Sequence, residues 1–205
     1  RIVVKLAGGL NTTVAATNNY QIIYIKDNDY VAPTPTNELN MSLLSSFSNG
    51  PGGDDSSAEI VAYDSTNFRL YIANSIDAKL DIVNFANPAV PVLLSSIPVA
   101  SYGNINSVTV YNGIVAMAIE NTNPQANGSV VFLNADGVFI NQVTVGPMPD
   151  MITFNRNHTK ILTANEGEPN SDYSQDPEGS VSVIDLIPGY AALTNANVTT
   201  IGFTD

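Results

Sequence analysis

One pattern of strands returns three times along this 205-residue chain, and it restricts the fold more than any single motif does. Arg69-Leu70-Tyr71-Ile72-Ala73-Asn74 is echoed by Gly113-Ile114-Val115-Ala116-Met117-Ala118-Ile119-Glu120, and again by Lys160-Ile161-Leu162-Thr163-Ala164-Asn165. A second strand follows each: Lys79–Asn84, Ser129–Asn134 and Ser180–Asp185. Asn84, Asn134 and Asp185 close these strands about 50 residues apart, a spacing typical of propeller blades. A short apolar strand precedes each unit, at Glu59–Tyr63, Ser107–Tyr111 and Asp150–Phe154. An outer strand follows near Val92–Ile97, Phe139–Val145 and Val198–Phe203. Four strands per unit predict an all-β fold, with about three four-stranded blades of a β-propeller. Natural rings have about four to eight blades, so the expectation is part of a larger ring. Met41–Phe47 reads as a further apolar strand, placed to be the outer strand of a ring-closing blade.

The joints between strands carry turn chemistry. Asn112-Gly113 and Asp136-Gly137 predict tight type I′ hairpins, which need positive φ. Amphipathic helical periodicity is missing. Before the repeats, Tyr20–Ile25 reads as a strand that ends at the turn-prone Asp27-Asn28-Asp29. The proline-spaced stretch Ala32-Pro33-Thr34-Pro35-Thr36-Asn37 reads as an extended linker, because proline fixes φ and removes donors. The predicted organisation is thus an N-terminal piece at 1–30, a linker at 31–40 and the blades at 41–205.

Composition narrows the class. Seven Lys+Arg against nineteen Asp+Glu give a net charge of -12, with no basic patch to follow a nucleic-acid backbone. At 44% hydrophobic residues the chain is too apolar for a disordered tail, yet no apolar run is long enough for a membrane-spanning helix. Cysteine is absent, so there is no disulfide framework and no thiolate metal site. The start at Arg1 lacks an initiator Met and a signal peptide, and suggests an internal segment of a longer polypeptide.

Several stretches resemble the choice-of-anchor I domain. They are Ala58–Asp64 with Arg69–Asn74, Asn106-Ser107-Val108, Asn127–Phe132, Gln142–Gly146, and above all Pro149–Phe154 and Ala164–Asn170 with its continuation to Val181. The resemblance covers about Met41 to Asp205 and implies a YVTN-like β-propeller of a secreted or cell-surface bacterial protein. Tyr24–Asp29 is similar to the last strand of a Calx-beta or related immunoglobulin-like repeat. The pairing of such a repeat with this domain implies a Bacteroidetes surface protein exported by type IX secretion. The other domains of that longer chain, and a surface glycan or protein, are the expected partners.

The best candidate for chemistry is acidic. Glu166, Glu168, Asp172, Asp176 and Glu178 fall within thirteen residues, alongside Asn165 and Asn170. Calcium takes about six to eight oxygen ligands on a flexible loop, which this segment can supply. The EF-hand spacing is absent, and a solvated acidic insertion between strands explains the same residues. Asp27 and Asp29 form a second calcium candidate at the domain junction, with an ordinary turn as the alternative. Asp54-Asp55 reads as a plain loop. The lone His158 reads as a solvated turn residue, without a neighbour to make a metal pair or triad base. The N-x-[ST] sites at Asn11, Asn40, Asn127, Asn157 and Asn197 are near chance in so Asn-rich a chain, and Asp64-Ser65-Thr66 resembles a short O-glycosylation motif at a turn.

No G-x-S-x-G, P-loop or H-E-x-x-H pattern occurs, so nucleophilic catalysis has no positive signal. A binding and display or adhesion module, stabilised by calcium, is the first expectation. Family labels of phytase-like and alkaline-phosphatase-like proteins suggest an alternative, a metal-dependent phosphoesterase with Glu166, Glu168 and Asp172 as ligands. A spacer in a surface fibre is the third.

Overall fold

A computed structural model describes residues 41–49 and 58–203, together with the backbone of Val3–Val4 and Gln21–Ile22. The chain divides into two units, Arg1–Ser42 and Leu43–Asp205. In the first, β1 (Val3–Val4) pairs antiparallel with β2 (Gln21–Ile22). The Calx-beta or Ig-like reading of 1–30, the linker at 31–40, and Asp27 and Asp29 otherwise lie outside the described residues.

The second unit holds three four-stranded antiparallel sheets, each a meander in chain order. The first is β3 (Ala58–Asp64), β4 (Arg69–Asn74), β5 (Lys79–Asn84) and β6 (Val92–Pro98). The second is β7 (Asn104–Tyr111), β8 (Ile114–Glu120), β9 (Asn127–Asn134) and β10 (Phe139–Pro147). The third is β11 (Pro149–Phe154), β12 (Lys160–Asn165), β13 (Ser180–Asp185) and β14 (Val198–Gly202). Strands expected from the repeat appear within three residues of their predicted bounds. These sheets are propeller-like blades.

Side-chain alternation explains why the blades stack. In a strand, successive side chains point to opposite faces. In β8, Val115, Met117 and Ile119 join Tyr71, Ala73, Leu80 and Ile82 in a core between the first and second blades. Their neighbours Ala116 and Ala118 point the other way, into a core with Ile152, Ile161 and Ile184 of the third blade. In β9, Val131 and Leu133 face back, while Val130 and Phe132 face forward. The middle blade is therefore buried on both faces, and its strands read as unbroken apolar runs. A polar latch reinforces the first contact: Arg69 donates to the Ala135 carbonyl and the Asp136 carboxylate, at 2.6 and 2.8 Å.

Two local expectations need correction. Asn112 and Gly113 do adopt positive φ, of 49° and 77°, as a type I′ turn requires. Asp136-Gly137 forms a longer connection instead, because only Gly137 has positive φ and the Asn134 side chain accepts the Asp136 and Val138 N–H groups. The strand expected at Met41–Phe47 is not formed among the described residues, where residues 41–49 pair with no strand. Apolar side chains give a segment strand character, but a strand also needs a hydrogen-bonding neighbour.

Candidate functional site

The connections between the second and third strands of the blades differ in length. Residues 75–78 link β4 to β5, residues 121–126 link β8 to β9, and residues 166–179 link β12 to β13. The long loop springs from a buried base. Asn165, the last residue of β12, donates from Nδ2 to the hydroxyls of Ser180 and Ser182, at 3.1 and 2.9 Å. Its Oδ1 accepts from the Thr163 hydroxyl at 2.9 Å. Ser182 also accepts the Gly146 N–H of β10, at 3.1 Å, which ties the base to the second blade. Gly146 permits this close approach, since a Cβ there would lie 2.6 Å from both Asn165 Nδ2 and Ser180 Oγ.

The neck is pinched at Gly167, which has a φ of 66°. A Cβ there would meet the Glu178 backbone at 2.6 Å, so the two arms of the loop touch. The tip folds on itself. Asn170 accepts the Gln175 N–H, its own Nδ2 reaches the Ser174 hydroxyl, and Asp172 accepts the Ser174 hydroxyl at 2.7 Å. These bonds hold Tyr173 out at the apex, where it is exposed.

The loop does not gather its carboxylates into one cage. Glu166 lies toward the inner strands, where partial loss of hydration raises its carboxyl above the usual range. The charges of Asp150, Glu168 and Glu120 push in the same direction. Asp172 is held low by the Ser174 hydroxyl and N–H within the tip. Asp176 is exposed. Glu178 turns toward the outer strand and accepts the Phe203 N–H at 2.7 Å. It also helps line a cleft of about 540 Å³ between the second and third blades, with Asn127, Thr144, Asn195 and Thr200. Among the described residues, no three Asp, Glu or His side chains come close enough to hold a metal ion together.

Asp150 and Glu120 went unnoticed in the sequence. Both stand at strand ends in neighbouring blades, so alignment of the repeats is the signal that places them beside Glu166. His158 is exposed in its turn, as expected, but it is not isolated. Its ring stacks on Tyr111 of the second blade, with centroids 3.6 Å apart and planes 5° from parallel. Ser65 and Thr66 are exposed in a turn that Asp64 closes by accepting the Thr66 N–H.

Solved structures share this arrangement. Hydrazine synthase from Kuenenia stuttgartiensis superposes with a TM-score of 0.52 at 12% identity, over 71% of this chain and 37% of that one. A hypothetical selenium-binding protein from Sulfolobus tokodaii gives 0.51 at 10% identity, over 72% of this chain and 39% of that one. At such identities the likeness concerns the fold alone, and the chain spans well under half the length of either structure. No curated protein matches in sequence. Among the described residues no helix is long and apolar enough to cross a membrane. The model of the choice-of-anchor I domain matches residues 59–205, and so takes in all three blades and the long loop. The chain belongs to the choice-of-anchor I domain family, and is a module of a surface or secreted protein.

Proposed function

We propose that this chain is a binding and display module, in which the end of the blades bearing loop 166–179 meets a glycan or a protein on a neighbouring surface. The observation that carries this reading is the loop itself. It is rooted in a buried hydrogen-bond network, pinched at its neck, and holds an exposed Tyr173 on a self-bonded tip. An aromatic ring on a pre-ordered loop offers large contact area at small entropic cost. Tethered to an envelope, such a module would act in adhesion.

Calcium is proposed as a stabiliser of the same end of the blades. The mutual repulsion of Glu166, Glu168, Asp150 and Glu120 supports this, since a cation would relieve it. With no three of these side chains converging, main-chain carbonyls and water would supply the remaining ligands.

Two experiments test the proposal. Binding of the intact protein to glycan arrays and to cell-surface protein extracts is compared with a variant carrying Tyr173→Ala. At least a tenfold loss of binding at unchanged melting temperature is expected; equal binding would refute the role of the loop. Melting is then measured in about 1 mM calcium and in chelator. An upward shift is expected with calcium, and coincident curves would remove the cation from the scheme.

A further inference from the structure

Residues 43–49 run across the face of the first blade that points away from the second. The contacts they make there repeat those of β10 on the third blade. Asp81 of β5 pairs across its sheet with Ser96, as Ser182 of β13 pairs with Thr200. Asn49 donates to Asp81 Oδ1 at 2.9 Å and to Ser96 Oγ at 3.1 Å. In the third blade, Gly146 of β10 donates to Ser182 at 3.1 Å, and Ser182 touches Thr200. Four residues upstream of Asn49, the Ser45 hydroxyl donates to the Pro88 carbonyl, in the loop between β5 and β6. Five residues upstream of Gly146, Asn141 donates to the Tyr190 and Leu193 carbonyls, in the loop between β13 and β14. The direction and the places contacted correspond, and the spacing along the two segments differs by one residue. β10 is the outermost strand of the blade that precedes the third.

The burial of the same face shows what is absent beside that segment. Under residues 43–49, Asp81 is 3% exposed and Val83 is 0%. Toward the inner strand the cover stops: Val61 is 59% exposed and Tyr63 is 49%. At the positions matching Val61 by strand register, Val108 and Ile152 are 3% and 4% exposed, because a full blade lies against them. The first blade is thus covered at the place of an outermost strand and open at the places of the inner ones.

We infer that Leu43–Asn49 is the outermost strand of a ring-closing blade, and that a three-stranded antiparallel sheet from the same polypeptide, outside these 205 residues, supplies its inner strands. That sheet would present an apolar face to Val61, Tyr63 and Ile72, and its edge would pair with the backbone of Leu43–Ser48. Exposed Leu44 fits this assignment, since it alternates with Ser45 and Asn49 and the opposite side of an outermost strand meets a further blade. The inference does not depend on the proposed binding role.

Two measurements on the intact protein test it. With Tyr63→p-benzoylphenylalanine, irradiation is expected to yield a cross-link within one polypeptide, to a peptide beyond these 205 residues. A covalent dimer, a cross-link to residues 1–42, or a face that forms no cross-link would overturn the assignment. Independently of that variant, amide exchange at Leu43–Ser48 is expected to be slowed about 100-fold, to the level of β10. Exchange at the rate of an unpaired segment would also overturn it.

Discussion

Asn165→Ala tests whether the buried polar base of the loop stabilises the fold. Asn165 is buried and makes three side-chain hydrogen bonds, two as donor to Ser180 and Ser182 and one as acceptor from Thr163. Ser182 keeps the Gly146 N–H and the contact with Thr200 after the change. Thr163 does not fare as well, because its hydroxyl proton loses the acceptor and the residue is buried. The two donated bonds are worth about 1 kcal/mol each, and an orphaned buried donor costs about 1–3 kcal/mol. A total loss of about 3–5 kcal/mol follows, or roughly 6–20 °C in melting temperature for a unit of this size. Urea unfolding reads it as a lower midpoint at unchanged slope. The diagnostic is Thr163→Val, which removes the orphaned proton. Alone it destabilises by about 1 kcal/mol; added to Asn165→Ala it restores about 1–2 kcal/mol. If Asn165→Ala costs under about 1 kcal/mol, or Thr163→Val is equally harmful in both backgrounds, the base is not a coupled network.

Other substitutions probe other links. Phe132→Ala empties the core between the second and third blades, where the side chain is fully buried, and should cost about 3–5 kcal/mol in the same unfolding assay. Gly167→Ala combines a positive φ with a Cβ 2.6 Å from the Glu178 backbone; it should open the loop neck, seen as faster proteolysis within 166–179 than in the parent protein. Glu166 titrates above its ordinary value of 4.5, so its contribution to stability is present below that pH and is lost as pH rises through the raised value. Glu166→Gln should therefore add a few tenths of a kcal/mol near neutral pH after solvent screening, and nothing at about pH 3, by urea midpoints at both. A gain that persists in acid would exclude charge repulsion as its cause.

The strand framework was legible because its signals are local. Lys79–Asn84 and Ser180–Asp185 show their bounds in period-two alternation and in the turn residues that flank them. Asn112-Gly113 states its turn outright. What stayed hidden depends on residues distant in sequence. Met41–Phe47 is apolar enough for a strand but has no described neighbour to pair with, so the sequence alone does not place it. The five acids of the loop look like one cluster on paper, but the pinched neck sends Glu166 inward and Glu178 outward. Asp150 and Glu120 join Glu166 only because consecutive blades bring their strand ends to the same side. The Tyr111–His158 stack crosses between blades in the same way.

Three matching positions show how one repeat accommodates different neighbours. Asp81, Val131 and Ser182 occupy the same place in β5, β9 and β13; Val131 and Ser182 face the preceding blade, and Asp81 faces residues 43–49. Val131 packs on an apolar partner surface that includes Leu80 and Ile82, and an apolar side chain suffices there. Ser182 meets the Gly146 N–H of β10 and needs an acceptor. Asp81 meets Asn49, which carries two donors on one nitrogen, and a carboxylate takes one while Ser96 takes the other. A polar group buried without a partner costs more than its hydrogen bond returns, so the residue at this position follows what the neighbouring outer strand presents. On that reasoning, Asp81→Val should be tolerated only together with Asn49→Val or a similar apolar change. Alone it takes the acceptor from the Asn49 amide and from the Ser96 hydroxyl, which keep only each other, and its cost, about 1–2 kcal/mol, should fall by about half in the double variant. Equal losses in both backgrounds would mean that the 43–49 segment does not read this face of the first blade.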